Sequence, residues 1–264
     1  MNAKHNSREI FESWPIPKAL TELALPMIFG QLIILVYNLA DTFFIGRTNN
    51  PLMVAGVSLL LPVFNISITF ANLFGIGGGT LISRLMGAKR DDEARNVSAF
   101  CFWMTILAGG MFSAFMYVFM PPVLRVLGAS DDTLKFAGQY TFCVIVLGAV
   151  PTILGMTLSN FLRSTGRAKQ AGFGVSMGGI INIFLDPLFM FVILPEGDEV
   201  LGAGIATMLS NVIICVYFLT VILADRGGII SLSPANVLAS ARNIYEVFAV
   251  GVPAAISVTL FDVT

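Results

Sequence analysis

The 264 residues are 56% hydrophobic and 12% charged, with a mean hydropathy of +0.85, a balance that excludes an ordinary soluble domain. With 15 basic residues against 16 acidic ones the net charge is −1, which leaves no electrostatic footprint for nucleic acid. Cys101, Cys143 and Cys215 each fall in a different apolar run, and the one histidine, His5, lies in the polar amino-terminal tail, so neither a disulfide framework nor intramembrane zinc chemistry is expected.

Residues 1–21 are mixed in charge, and the apolar run after them is too long for the core of a cleavable signal. From there the chain alternates between long apolar runs and short polar breaks. No Lys or Arg lies between Lys18 and Arg47, Arg47 and Arg84, Arg95 and Arg125, Lys135 and Arg163, or Lys169 and Arg226. A hydrocarbon layer of about 30 Å takes roughly 20 helical residues. Only a helix satisfies its own backbone polar groups in that solvent. The runs predict helices over 22–46, 52–82, 96–119, 134–158, 171–194 and 202–223, with a seventh starting near Tyr245 and still running at Thr264. Turn signals at Asn49-Asn50-Pro51, Pro121-Pro122, Gly166, Pro195-Glu196-Gly197 and Gly227-Gly228 separate them. The expected fold is an all-α polytopic membrane protein, a six-helix transmembrane bundle plus a seventh helix cut short. Its parts are an amino-terminal segment (1–21), a six-helix lobe (22–223), a linker (224–244) and the start of a second lobe (245–264).

Basic residues set the orientation. Lys4, Arg8, Lys18, Arg84, Lys89, Arg90, Arg95, Arg163, Arg167, Lys169, Arg226 and Arg242 fall on one side of this topology. Only Arg47, Arg125 and Lys135 fall on the other, beside Glu196, Asp198 and Glu199. The positive-inside rule places the amino terminus in the cytosol and suits a plasma-membrane protein. Pro26, with Glu22 before it, and Pro253, with Glu246 before it, both sit several residues into a run entering from the basic side. That recurrence is what a restarting six-helix unit gives, and doubled units are common in transporters.

Several strings in the chain resemble the MATE (multidrug and toxic compound extrusion) family of cation-coupled exporters. They are Leu25-Pro26-Met27 and Tyr37-Asn38-Leu39-Ala40-Asp41-Thr42-Phe43-Phe44-Ile45-Gly46 in the first helix. Gly75-Ile76-Gly77-Gly78-Gly79-Thr80-Leu81-Ile82-Ser83-Arg84 and Gly87-Ala88-Lys89 close the second. Arg163-Ser164-Thr165-Gly166 follows the fourth, Asn182-Ile183-Phe184-Leu185-Asp186-Pro187 lies in the fifth, and Gly202-Ala203-Gly204-Ile205-Ala206-Thr207 opens the sixth. Arg167-Ala168-Lys169 departs from the family, which usually has an acidic or polar residue and then Pro-Lys there. The resemblance covers nearly the whole chain as that family's first lobe and the opening of its second. It implies export of organic cations or drugs against Na⁺ or H⁺, with Asp41 as the principal switch and no organic cofactor.

The residues themselves point to the same place. A carboxylate at membrane depth costs on the order of 2.5–3.5 kcal/mol on insertion scales, so Asp41 and Asp186 ask for a reason. Tyr37 and Asp41 share a helix face, as do Asn182 and Asp186, and Thr207 and Asn211. At 1.5 Å per residue, Asp41 lies about 9 Å inside Arg47, Asp186 about 14 Å inside Pro195 and Thr207 about 8 Å inside Gly202. Two carboxylates with amide and hydroxyl oxygens (Asp41, Asn182, Asp186, Thr207) make an all-oxygen cage for Na⁺; alternatively one of the two acids carries a proton. Pro26 removes a backbone hydrogen bond and permits a kink, so cation arrival at Asp41 is expected to change the packing of the first helix. Asn160 also resembles a polar position of the family, but falls near the basic end of the fourth helix, away from the cluster; Asp262 falls in the seventh.

Other readings are weaker. Lone intramembrane acids sometimes only hold helices together. The glycine string follows no strand and lacks the Lys-Ser/Thr of a nucleotide loop, so nucleotide binding is not expected. The 22 phenylalanines and 12 methionines suit an adaptable pocket for flat apolar drugs, though most must face lipid or core. A lipid-linked saccharide flippase of the same superfamily is an alternative, but calls for a basic cavity that these spans do not supply. An intramembrane enzyme would need His-Glu-x-x-His, Gly-x-Ser-x-Gly or a two-acid protease pattern, and none occurs. A single lobe lacking its second half, and inactive alone, is the remaining alternative.

Overall fold

The computed structural model describes residues 15–225, 227–237 and 240–261; the amino-terminal tail with His5, Lys4 and Arg8, and also Arg226 and Asp262, lie outside them. The elements are α1 (Ile16–Gly46), α2 (Pro51–Ser58), α3 (Leu61–Gly87), α4 (Asp91–Val126), α5 (Asp131–Thr141), a π-helical turn (Phe142–Leu147), α6 (Ala149–Ser164), α7 (Ala168–Leu188), a second π turn (Phe189–Ile193), α8 (Glu199–Ala224), a 3₁₀ turn (Pro234–Asn236) and α9 (Ala241–Phe261). No strand occurs among the described residues. They hold 5 helices long and apolar enough to cross a membrane, or 6 when α5 and α6 count as one bent span. The all-helical, membrane-spanning bundle expected from the apolar runs is therefore the fold.

Prolines decide where these spans break. Pro62 has no N–H for the Ser58 carbonyl, and α2 ends at Ser58; Pro151 has none for Leu147, and the first π turn ends at Leu147. The second and fourth spans, expected as unbroken helices, are split for that reason. Pro121-Pro122, expected as a turn, instead lies inside α4. The two prolines forgo bonds only to Tyr117 and Val118, and membrane helices absorb such losses. The real stop is Gly128, at φ 105°, whose N–H donates to Arg125 O while Ala129 N–H donates to Leu124 O. α1 runs unbroken through Pro26.

α3 is the central helix, packed by α4, α6 and α9; α1 packs on α7, α7 on α8, and α8 on α6. Two cores result. One, at the end carrying most of the basic residues, holds Ile82, Leu158, Phe161, Leu162 and Phe218; the other, at the opposite end, holds Leu60, Val63, Met116, Ile145, Ile153 and Met190. Large apolar side chains such as Phe43, Leu107, Phe184 and Val192 face outward, as lipid contact requires. In lipid, helices associate through close packing rather than hydrophobic burial, which favours small residues at the contacts. The glycine string serves that purpose. A Cβ at Gly75 would lie 2.6 Å from Asn160 Nδ2, at Gly78 2.7 Å from Cys101 Sγ, and at Gly77 2.4 Å from the Val247 carbonyl of α9.

The segment after α8 is pinned rather than loose. Arg95 of α4 donates to the Gly228 and Gly227 carbonyls at 3.1 and 3.0 Å, Ser231 N–H donates to Ser98 Oγ at 2.9 Å, and Trp103 Nε1 donates to Leu232 O at 3.2 Å. Arg84 of α3 then meets Glu246 of α9 at 3.3 Å, and Asn243 Nδ2 donates to Glu93 Oε2 at 3.2 Å.

Candidate cation-coupling site

The site is built where α1, α5, α7 and α8 meet, in the half of the bundle away from the basic end. Glycines bring these helices together. A Cβ at Gly179 of α7 would lie 2.8 Å from Ile33 Cγ2 and 3.2 Å from Tyr37 Cδ1 of α1. At Gly204 of α8 it would lie 3.0 Å from Cys143 Cβ and 3.3 Å from Tyr140 Cδ2. Gly202 closes α8 onto the backbone of Phe189 and Met190, where the chain leaves α7 after Pro187.

Asp186 is completely buried and Asn182, one turn earlier, is nearly so; Asn182 Nδ2 donates to Asp186 Oδ1 at 3.2 Å. Asp41 accepts a hydrogen bond at Oδ2 from the Tyr140 hydroxyl at 3.4 Å. The two acids are near enough to interact electrostatically, and Tyr37 feels both. Tyr140 interacts with Asp41, Asp186 and Tyr37, and Thr207 lies near its hydroxyl. Of the residues singled out from the sequence, the structure thus brings together Tyr37, Asp41, Asn182, Asp186 and Thr207. Asn211 is half-buried one turn beyond Thr207 on α8. Asn160 packs its side chain against Gly75 of α3, and its carbonyl accepts from Ser164 Oγ.

Tyr140 is the residue that sequence reasoning passed over. It lies nine residues into α5, about 14 Å from the helix start, the same depth as Asp186. A depth scan extended to every polar side chain of the spans finds it.

Three oxygens of the cluster lack a hydrogen-bond partner although buried: Asp41 Oδ1, Asn182 Oδ1 and Asp186 Oδ2. No Lys or Arg pairs with either acid among the described residues. Two desolvated carboxylates without a counter-charge cost several kcal/mol. An oxygen-only donor set with unused lone pairs fits a hard monovalent cation, and either acid can carry a proton instead.

A family model for MatE matches residues 26–188. The chain belongs to the MatE family. MATE proteins are membrane transporters, not enzymes. The multidrug export protein MepA of Staphylococcus haemolyticus is 32% identical over 254 residues, which cover 96% of this chain and 55% of MepA. A multidrug-resistance MATE transporter of the MOP superfamily in an outward-facing conformation superimposes with a TM-score of 0.83 at 27% identity, covering 91% of this chain and 52% of that one. A MATE in complex with MaL6 superimposes with a TM-score of 0.87 at 26% identity over 95% of this chain and 54% of that one. The chain spans about half the length of the relatives it matches.

Proposed function

We propose that this chain is the coupling lobe of a secondary antiporter that exports organic cations or amphiphilic drugs in exchange for Na⁺ or H⁺. The observation that carries the reading is the pair of acids, Asp186 buried and Asp41 half-buried, held on separate helices with buried, unpartnered oxygens and, among the described residues, no Lys or Arg to neutralise them. Such a site is stable only when a cation or proton is present, so its occupancy is linked to the packing of α1 against α7. Na⁺ would be held by Asp41, Asn182, Asp186 and Thr207, while Tyr37 and Tyr140 orient the acids; a proton would reside on one of the two carboxyls. Pro26 gives α1 the means to answer by bending. A second six-helix lobe, begun by α9, completes the cleft; the multidrug export proteins among the relatives, of which this chain spans half, support that division. The basic end faces the cytosol of a cell whose plasma membrane holds the protein, in keeping with the distribution of Lys and Arg.

The test uses vesicles carrying the protein and loaded with a fluorescent organic cation. Na⁺ and pH gradients are imposed separately, for the unmodified chain and for Asp41→Asn, and Na⁺ binding to the purified chain in nanodiscs is measured alongside. Expected is cation-driven movement or, at the least, cation binding that Asp41→Asn abolishes while the protein remains folded in the membrane. Full binding and exchange in Asp41→Asn would refute the role.

A further inference from the structure

The fourth span is two arms. α5 with its π turn and α6 meet at 53°, and Gly148 is the joint. The cause is local. Pro151 offers no N–H to the Leu147 carbonyl, and a Cβ at position 148 would lie 2.5 Å from the Val144 carbonyl and 3.0 Å from that of Cys143. π turns of this kind gather at functional sites in helical proteins.

α4 meets the joint with two residues one turn apart. Gly109 lets the α6 backbone come close, since a Cβ there would lie 3.3 Å from Val150 Cα. Ser113 donates its hydroxyl to the Val146 carbonyl, in the last turn before the joint. One contact thus seats α6, and the other holds the end of the α5 arm.

That arm carries Tyr140. Tyr140 lies eight residues before Gly148, so a change of about 10° at the joint moves it by about 2 Å over about 12 Å of helix. Its bond to Asp41 is 3.4 Å long, at the upper limit for a hydrogen bond, and does not survive such a shift. We infer that Ser113 is a positioning residue for the coupling site, holding the bend at Gly148 at the angle that keeps Tyr140 on Asp41. The inference rests on the reading of Asp41 as the coupling acid.

The experiment measures Na⁺ affinity by displacement of radioactive Na⁺, and proton binding by pH titration of the infrared carboxyl bands, on the 264-residue chain in lipid nanodiscs. The variants are Ser113→Ala, Ser113→Thr, Tyr140→Phe, the double variant Ser113→Ala with Tyr140→Phe, and Asp41→Asn. Ser113→Ala is expected to change the apparent affinity of the bound cation, whichever of the two it is, by about twofold to tenfold. Ser113→Thr, which keeps the hydroxyl, restores it. The double variant is expected to behave like Tyr140→Phe alone, because the serine acts through the tyrosine. Additive effects, or an unchanged affinity in Ser113→Ala, overturn the inference. A purely structural serine would lower the melting temperature equally in both backgrounds and leave affinity alone, which also overturns it. If Asp41→Asn leaves both binding signals intact, the coupling reading fails and this inference falls with it; if Asp41→Asn abolishes binding while serine and tyrosine effects add, only the positioning role is lost.

Discussion

Replacing Gly172 by alanine tests the packing of α1 at its proline. In α7, Gly172 faces the backbone of Pro26: an added Cβ would lie 2.6 Å from the Pro26 carbonyl oxygen, 3.0 Å from its carbon and 3.1 Å from its Cβ. Ordinary contact begins at 3.4 Å, so α1 must retreat by about 0.8 Å, and the obstacle is backbone rather than a flexible side-chain tip. Overpacking of this kind costs about 1–3 kcal/mol. The better helix propensity of alanine returns up to about 1 kcal/mol, leaving a net loss of about 1–2 kcal/mol. Gly110 of α4 supplies the control, since nothing lies within 4 Å of its added Cβ; there the same substitution is neutral or stabilising by up to about 1 kcal/mol. Thermal and detergent unfolding of both variants in one lipid mixture gives the comparison. Because occupancy at Asp41 is tied to the packing of α1 on α7, the same displacement is expected to change the apparent affinity for Na⁺ or protons there, 15 residues further along. Equal stability of Gly172→Ala and Gly110→Ala would refute the close-packing argument.

Gly251→Ala places a Cβ 2.2 Å from the Leu73 carbonyl, so α9 is expected to separate from α3. A cysteine pair introduced across that contact should lose crosslinking efficiency severalfold, whereas Gly87→Ala, with open space around it, should leave it unchanged. Arg84→Ala removes an ion pair whose arginine is 63% exposed and whose glutamate is 21% exposed, and unfolding midpoints should move by less than about 1 kcal/mol equivalent. Asp186→Asn keeps the shape of a fully buried side chain and removes the acid with its unpartnered oxygen. It should leave the cation-free protein as stable or more so, by up to about 3 kcal/mol, while abolishing stabilisation by Na⁺, both read from melting curves with and without the ion.

The apolar runs made the fold legible because lipid leaves a chain so few options, and the two acids stood out because so little else in those runs is charged. The same reasoning blurred where an ordinary residue acts through its neighbours. Tyr140 looks like any aromatic in a span until Asp41 is seen beside it. Pro62 and Pro151 break spans that the apolar runs alone predict as unbroken, while Pro121-Pro122 reads as a turn that α4 runs straight through. Spacing put Asn182 with Asp186 and Tyr37 with Asp41, since each pair shares a helix. Which helices adjoin was set by glycines such as Gly179 and Gly204, whose partners lie far away in sequence and leave no periodic trace.

The clamp of Arg95, Ser98 and Trp103 on residues 227–232 gives α4 a second office. The chain leaving α8 is fastened along the flank of a different helix before it is handed to α9. α9 therefore takes its bearings from α4, to which its approach is fastened, as well as from α3, against which it packs.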